Sequence, residues 1–408
     1  MTLAARRLGR ANHQVALLQG TLEFFPALIA AMDLAQSDIQ LETYIFDCTG
    51  SGADVARALV RAALRGLRVH LVVDGFGTAQ LPPAWRALFA RCGVRLQVYS
   101  PMGRLGLLLP KRWRRLHRKL CVVDGRLLFC GGINILDDFY DPNHGTLAAP
   151  RLDFAVRVQG SLVQQASETM EQLWWNLRAG QDMRQRRLGL ALADWRAARA
   201  ARFKQRHAEQ ASRGMRAALL LRDNLRHRSR IERSYRRAIA RARHEIIIAN
   251  AYFIPGAKLR RALQHAAGRG VRVQLLLQGR YEYFMQYHAA RPVYGALLAA
   301  GVEIYEYAPS FLHAKVAVID AQGARPWATV GSSNLDPLSL LLAREANVMV
   351  RDADFARQLR ARLLAAMQQP GQRLNPLHYA DRPWQQRLLD RLAFGLMRAA
   401  LWLSGNRY

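Results

Sequence analysis

Apolar positions along the chain fall into blocks of helical and strand-like period, and the blocks come in two similar series. Val15–Leu18 opens one series and Ala217–Leu221 the other. Stretches with helical spacing of apolar residues follow, Phe24–Ala35 and Ile231–Ala242. Next come apolar runs ending in Glu42-Thr43-Tyr44-Ile45-Phe46 and in Ala249-Asn250-Ala251-Tyr252-Phe253. ALVRAALRGLRVHLVVDG at Ala58–Gly75 then parallels LRRALQHAAGRGVRVQLLLQG at Leu259–Gly279, each an amphipathic helix, a Gly turn and a Val/Leu strand. Leu88–Tyr99 parallels Leu297–Tyr307. Each series closes on a short unbroken apolar run, Leu120–Val123 or Val316–Ile319, as expected of a strand buried on both faces. Asp124-Gly125 reads as a turn and Leu127–Cys130 as the returning strand. Strands alternating with helices predict an α/β fold with two similar mixed α/β sheet domains, an internal repeat.

The predicted organisation is a first repeat over 1–180, a basic helical connector over 181–214, a second repeat over 215–369 and a tail over 370–408. The connector is rich in Arg and Ala with some helical period. The tail has no counterpart in the repeat. It places Trp384, Leu388, Leu392, Leu396, Ala399 and Leu403 on one helix face, with Arg387, Arg391 and Arg398 elsewhere. That pattern suits either an interfacial helix or a plain packing helix.

The closing strands carry the candidate chemistry. His117-x-Lys119 is followed by Asp124, then Gly131, Gly132 and Asn134; His313-x-Lys315 is followed by Asp320, then Gly331, Ser332 and Asn334. Residues two apart on a strand share a face, so each His and its Lys are expected to project together from a strand starting near Leu116 or Leu312. Two imidazoles and two ammonium groups are then at the disposal of one anionic centre. The chain has only five lysines, Lys111, Lys119, Lys204, Lys258 and Lys315, and two of them occupy these motifs. In a protein that otherwise uses Arg, this points to a need for a compact ammonium beside a phosphate oxygen.

These residues resemble the phospholipase D superfamily, whose pattern is His-x-Lys-x4-Asp-x6-Gly-[Gly/Ser]-x-Asn. The first copy matches throughout. The second departs once, with Ala321–Val330 between Asp320 and Gly331, a longer hairpin that a surface turn tolerates. Within that superfamily the wider sequence is most similar to the bacterial cardiolipin synthases of the B type, through LETYIF, RRLHRKLCVVD, IIIANAYFIPG, ATVGSSNLDPLSL and EANVMV. The resemblance implies two sheet domains related by a pseudo-twofold axis with the active site at their interface. It implies transfer of a phosphatidyl group from one glycerophospholipid to the hydroxyl of another, phosphatidylglycerol, through a phosphohistidine. His117 would be the nucleophile and His313 the acid/base, although the repeat alone does not break that symmetry. Lys119, Lys315, Asn134 and Asn334 would hold the phosphate oxygens, so no metal or other cofactor is expected. Asp153 and Glu345, at matching positions after the two Asn residues, would orient the histidines. Asp124 and Asp320 complete the catalytic motifs; at strand ends they read as ion-pairing, structural members rather than proton carriers.

Charge bears on the partners. Lys and Arg number 60 against 30 Asp and Glu, a net charge of +30, which draws polyanions, either anionic membrane or nucleic acid. No interleaving of aromatic stacking residues along a basic stretch favours nucleic acid. LGLLLP at Leu105–Pro110 precedes Lys111-Arg112-Trp113-Arg114-Arg115, an apolar tip with a cationic rim that would place Leu107, Leu108 and Trp113 in a leaflet. The N-terminal stretch lacks the apolar core of a secretory signal, and no run of 18 apolar residues suggests a membrane span. Peripheral attachment at the cytoplasmic face of the bacterial membrane follows, with phospholipid substrates and no nucleic-acid partner; oligomeric state is open. Cys48, Cys92, Cys121 and Cys130 have no metal-type spacing and read as small buried residues. The competing functions are a phospholipase D-type hydrolase, a nuclease, and a non-catalytic anion-binding protein. Intact His, Lys and Asn in both copies argue against the last.

Overall fold

A computed structural model describes residues 11–78, 80–101, 113–184, 187–200, 214–223, 227, 229–281, 284–336, 343–368 and 373–403. They form two compact units, one within Met1–Tyr140 and Ala155–Leu219, the other within Asp141–Phe154 and Leu220–Tyr408. The short segment Asp141–Phe154 thus lies in the first series by sequence and in the second unit by packing.

The first unit contains β1 (Ala11–Gln19), α1 (Gly20–Asp33), β2 (Asp38–Thr43), α2 (Gly50–Leu64), β3 (Arg68–Asp74), α3 (Pro83–Cys92), β4 (Arg95–Tyr99), β5 (Leu120–Val123), β6 (Leu127–Gly131), β7 (Phe154–Gln159), α4 (Leu162–Arg184), α5 (Leu188–Ala200) and the start of β8 (Met215–Arg222). Its sheet runs β8-β1-β7-β6-β5-β2-β3-β4. β2, β3 and β4 are parallel, whereas β5 is antiparallel to β2, and β6 and β7 continue antiparallel. Side chains alternate across β3. Val69, Leu71 and Val73 join Phe24, Leu28, Met32 and Leu59 of α1 and α2 in one core, while Val72 faces Leu173 and Trp174 of α4. Both faces are covered, which is why these strands read as unbroken apolar runs.

Helix α1 begins at Gly20, earlier than its apolar pattern. Carboxylates take its first amides: Thr21 N–H donates to Asp138 at 2.6 Å and Gln19 N–H to Glu23 at 2.8 Å. The expected boundary at 180 falls inside α4, and the connector continues into α5, tied back by Arg178 Nε to Asp194 at 3.4 Å.

The second unit contains α6 (Arg230–Arg241), β9 (Glu245–Asn250), α7 (Ala257–Gly268), β10 (Arg272–Gln278), α8 (Phe284–Leu298), β11 (Glu303–Tyr307), β12 (Lys315–Ile319), β13 (Trp327–Gly331), β14 (Ala343–Arg351), α9 (Ala353–Met367), α10 (Pro376–Ala380) and α11 (Trp384–Leu403). Its strand order, β11-β10-β9-β12-β13-β14, repeats β4-β3-β2-β5-β6-β7 of the first unit with the same parallel and antiparallel senses. Ile246, Ile247 and Ile248 of β9 are fully buried, as β-branched residues between two covering layers should be. The ten-residue gap in the second motif is the β12–β13 hairpin, with Gly323 N–H donating to Asp320 O at 2.9 Å. The tail is part of this unit: α11 docks on α8, where His288 Nδ1 meets Asp390 at 2.7 Å and Arg382 donates to the same carboxylate at 3.0 Å. Among the described residues no helix is long and apolar enough to cross a membrane.

Candidate active site

Each His-x-Lys motif sits where its closing strand begins, and one device positions both. The amide of the residue before the histidine is captured by a side chain at the end of the parallel strand one place beyond the closing strand's partner, β3 or β10. Leu116 N–H donates to Asp74 at 2.7 Å, and Leu312 N–H donates to Gln278 at 3.2 Å. Asp74 also accepts from Phe76 N–H and Gly77 N–H, at 2.8 and 3.1 Å. The regular strands start only at Leu120 and Lys315. A two-residue strand at Arg115–Leu116 and a single bridge at Leu312 precede them, so each histidine sits in a break between those first paired residues and the continuous strand.

In the first unit, Lys119 is buried and its Nζ bends back to donate to His117 O at 3.0 Å. The ring of Tyr44 stands edge-on to His117, with centroids 5.0 Å apart, and Lys119 Nζ lies 5.4 Å from the same ring. Gly77 allows this: a Cβ there would come within 2.5 Å of Tyr44 O and 2.8 Å of its ring. On the opposite strand face, Arg118 is buried and pairs with Glu42 of β2, Nη2 to Oε2 at 2.8 Å. Asn134 accepts Ile45 N–H at 3.1 Å. An amide whose oxygen is used in this way presents N–H donors, the groups a phosphate oxygen needs.

In the second unit, Asp153 Oδ2 lies 2.6 Å from His313 Nδ1. The exchanged segment delivers it. Leu152 N–H donates to Phe311 O at 3.0 Å and His313 N–H to Leu152 O at 2.9 Å, so the two stretches run as a short parallel bridge. Phe154 N–H holds the other oxygen of Asp153 at 2.8 Å. A buried carboxylate on Nδ1 fixes the ring's tautomer and leaves Nε2 for chemistry. Lys315 is fully buried, and its Nζ donates to His313 O. Glu345, buried on β14, is hydrogen-bonded by Ser332 Oγ of the same motif. Gly331 leaves room for Asn347, whose Cγ a Cβ would meet at 2.3 Å. Asn334 is buried beside Ser333.

Asp124 and Asp320 do something other than the expected ion pairing. Each collects the amides that enter β2 or β9. Asp124 accepts from the N–H groups of Gln36, Ser37 and Asp38 and from Ser37 Oγ, while Asp320 accepts from Arg243, His244 and Glu245 N–H. Both adopt left-handed backbone, φ 51° and 49°, a conformation that Asp tolerates better than most residues. Burial pushes the Asp124 carboxyl up and these hydrogen bonds outweigh it, so its pKa is lowered.

Of the expected lipid-contact residues, Leu107 and Leu108 lie outside the described residues. Trp113 is exposed, and its carbonyl accepts from Arg115 Nε at 3.2 Å. Sequence reasoning missed Asp74, Gln278, Tyr44 and the Glu42–Arg118 pair. The matched endings VVDG and LLLQG marked the first two.

A family profile described as "Cardiolipin synthase, PLD-like domain" matches residues 28–174 and 235–366. Cardiolipin synthase B of Escherichia coli (strain K12) is 35% identical over 401 residues, covering 95% of this chain and 89% of that protein. Cardiolipin synthase B of Salmonella typhi is 36% identical over 402 residues, with the same two coverages. Among solved structures, phosphatidylserine synthase of Haemophilus influenzae Rd KW20 shares the fold at a TM-score of 0.63 and 14% identity, over 95% of this chain and 93% of that one.

Proposed function

Since the chain belongs to the cardiolipin synthase family of phospholipase D-like proteins, it is a phosphatidyltransferase, and we propose that it works through a phosphohistidine. His117 attacks phosphorus of a glycerophospholipid and the P–O bond to the leaving alcohol breaks. His313 gives that alkoxide its proton from Nε2. The incoming hydroxyl of phosphatidylglycerol then loses its proton to His313 and displaces His117 from phosphorus, returning both rings to their starting states. Lys119, Lys315 and the amides of Asn134 and Asn334 hold the non-bridging oxygens, supplying the cationic charge that a metal ion supplies elsewhere. Glu345 is the second His-orienting acid in this reading.

The observation that carries the role of His313 is Asp153 at 2.6 Å from its Nδ1. A ring held in one tautomer and stabilised when protonated is what a proton-transferring group requires, first as acid and then as base. The net charge of +30 supports attachment to the anionic cytoplasmic leaflet. Exposed Trp113 beside Arg114 and Arg115 supports a lipid contact at that edge, with Leu107 and Leu108 beside it in sequence.

The test is to incubate purified protein with labelled phosphatidylglycerol, with and without phosphatidylethanolamine, and to identify the lipid products by mass. Cardiolipin is the expected product. Phosphatidic acid alone would make the protein a hydrolase and overturn the acceptor assignment. Acid-labile label trapped on the peptide containing His117 supports the nucleophile assignment, and label on the His313 peptide reverses it.

A further inference from the structure

Helix α11 has two faces, and among its described side chains one packs into the fold while the other stands exposed. Its inner face is fixed on α8 by the buried Asp390, which takes both His288 and Arg382, and by buried Ala393. A helix docked along one stripe is expected to be polar on the other side. Here the outer side carries Trp384, Leu388, Leu392 and Leu396 at four-residue spacing, exposed by 66%, 48%, 56% and 65%. Leu377 of α10 is exposed next to them in sequence. Arg387, Arg391 and Arg398 are also exposed and fall on one flank of that row by helical spacing. The only acidic residue of α11 is Asp390, on the inner face.

We propose that this outer face of α11 is the element that inserts into an anionic phospholipid leaflet, lying in the interface with its leucines and Trp384 among the acyl chains and its arginines reaching up to the headgroup phosphates. The proposal rests on the anionic-leaflet reading above and names the element that performs it. Apolar residues bordered by cations, with the helix's own acid buried, form the composition of an interfacial helix. Arg stems lie along the apolar surface while their guanidinium groups stay at the phosphates. A second copy of the same face is a poor occupant, because pairing two such helices would set arginine against arginine while the one acid of α11, Asp390, is buried on the inner face. Docking on α8 makes the helix rigid before it meets the membrane, so little ordering is required on insertion.

The experiment uses the full chain with vesicles of phosphatidylglycerol and phosphatidylethanolamine, and with phosphatidylcholine vesicles as the neutral reference. Wild type is expected to partition to the anionic vesicles. Leu388→Ser with Leu392→Ser should lower that partitioning by about tenfold or more and leave the thermal unfolding curve in place. Leu34→Ser with Leu64→Ser, exposed leucines of the first unit, should leave partitioning unchanged. Brominated lipid should quench a tryptophan signal in wild type that is missing in Trp384→Phe. If wild type ignores anionic vesicles, the leaflet reading itself fails. If wild type binds and the α11 variants bind equally well, the leaflet reading stands and this inference is overturned. A variant that binds vesicles normally but loses a dimer seen by light scattering in wild type also overturns it, and makes the face a self-association surface.

Discussion

Between the histidine and lysine of the first motif stands Arg118, buried and paired with Glu42 of β2; the same positions in the second repeat hold Ala314 and Ala249. Tyr44, edge-on to His117, likewise corresponds to Ala251. The second unit has its own bracing: His313 is held from outside its strand, by Asp153 on the ring and by Leu152 on the backbone. What the two repeats share shapes the backbone, namely Asp74 or Gln278 on the amide before the histidine and Asp124 or Asp320 on the amides entering the central strand. What differs between them orients side chains. A duplicated frame has thus kept its backbone contacts, while the side chains packed about each motif, Glu42, Arg118 and Tyr44 against Ala249, Ala314 and Ala251, have diverged.

The most severe break of this comparison is removal of either ring. His117→Ala and His313→Ala should each lower kcat by about 10⁴-fold or more, by analogy with groups that act as a unit, with circular dichroism unchanged. They should differ in what remains: His313→Ala can still form the phosphatidyl adduct from a donor whose leaving group needs no proton, such as a p-nitrophenyl ester, and His117→Ala cannot. Adduct formation by His117→Ala would erase the distinction.

A sharper cut leaves both rings in place. Asp153→Asn keeps the size of the side chain but can hold the His313 ring in the wrong tautomer. It should lower kcat by about 10²–10⁴-fold, with little change in KM and no change in the unfolding midpoint. Equal losses in the rate of adduct formation from the p-nitrophenyl donor and from a natural lipid would show that Asp153 supports something other than proton delivery, since in that first step only the natural leaving group needs the proton.

The Glu42–Arg118 pair tests bracing without touching chemistry. Arg118→Met strands a buried carboxylate and should cost about 3–5 kcal/mol in denaturant unfolding. Adding Glu42→Leu should restore most of that, because an apolar pair replaces the ion pair much as Ala249 and Ala314 do in the second repeat. A double variant as unstable as the single one would mean that the charges themselves are required there.

Legibility followed from the range of the interaction that fixes each feature. Period-two and period-3.6 patterns are local, so the β-α-β blocks and the duplicated sheet could be read from the chain. The two motifs were visible because their residues are close in sequence. Asp153 could be assigned to a histidine only in general terms: its partner, His313, lies 160 residues away in a different repeat, and segment exchange leaves no mark in a one-dimensional pattern. Asp74 and Gln278 do the same task with different side chains, so comparison of residue identity between the repeats passed over them. Asp124 and Asp320 were legible as motif members but not as amide acceptors. Their role depends on left-handed backbone and on loops that return from α1 and α6.

The smallest effect expected separates the units by pH. His70 of β3 is stacked on Trp174, ring centroids 4.0 Å apart. Burial, reinforced by Arg68, Arg95 and Arg178, pushes its pKa down from 6.5 to about 3. Burial also lowers His13 of the same unit. Between pH 6.5 and the lowered value, the unfolded chain takes a proton on such a group and the folded chain does not. Its contribution is complete above about pH 6.5 and declines as pH falls, by up to about 1.4 kcal/mol per pH unit for one group. At the position of His70 the second unit has Gln274, which donates to Tyr305 Oη at 3.3 Å and to Glu303 at 3.1 Å. Glu303 has a lowered pKa, with hydrogen bonds from Arg272, Tyr305 and Gln274 outweighing its burial, so its contribution is lost only below the ordinary 4.5. Glu306 of β11 has its pKa raised by burial, which favours that unit as pH falls, so hydrogen exchange compared at pH 6.5 and 5 should show protection falling in β2–β4 with no such fall in β9–β11. His70→Gln, which copies the second unit, should flatten most of that fall. An unchanged slope in this variant would assign the sensitivity to His13 instead, and a parallel loss in both units would mean that the two sheets do not respond to acid separately.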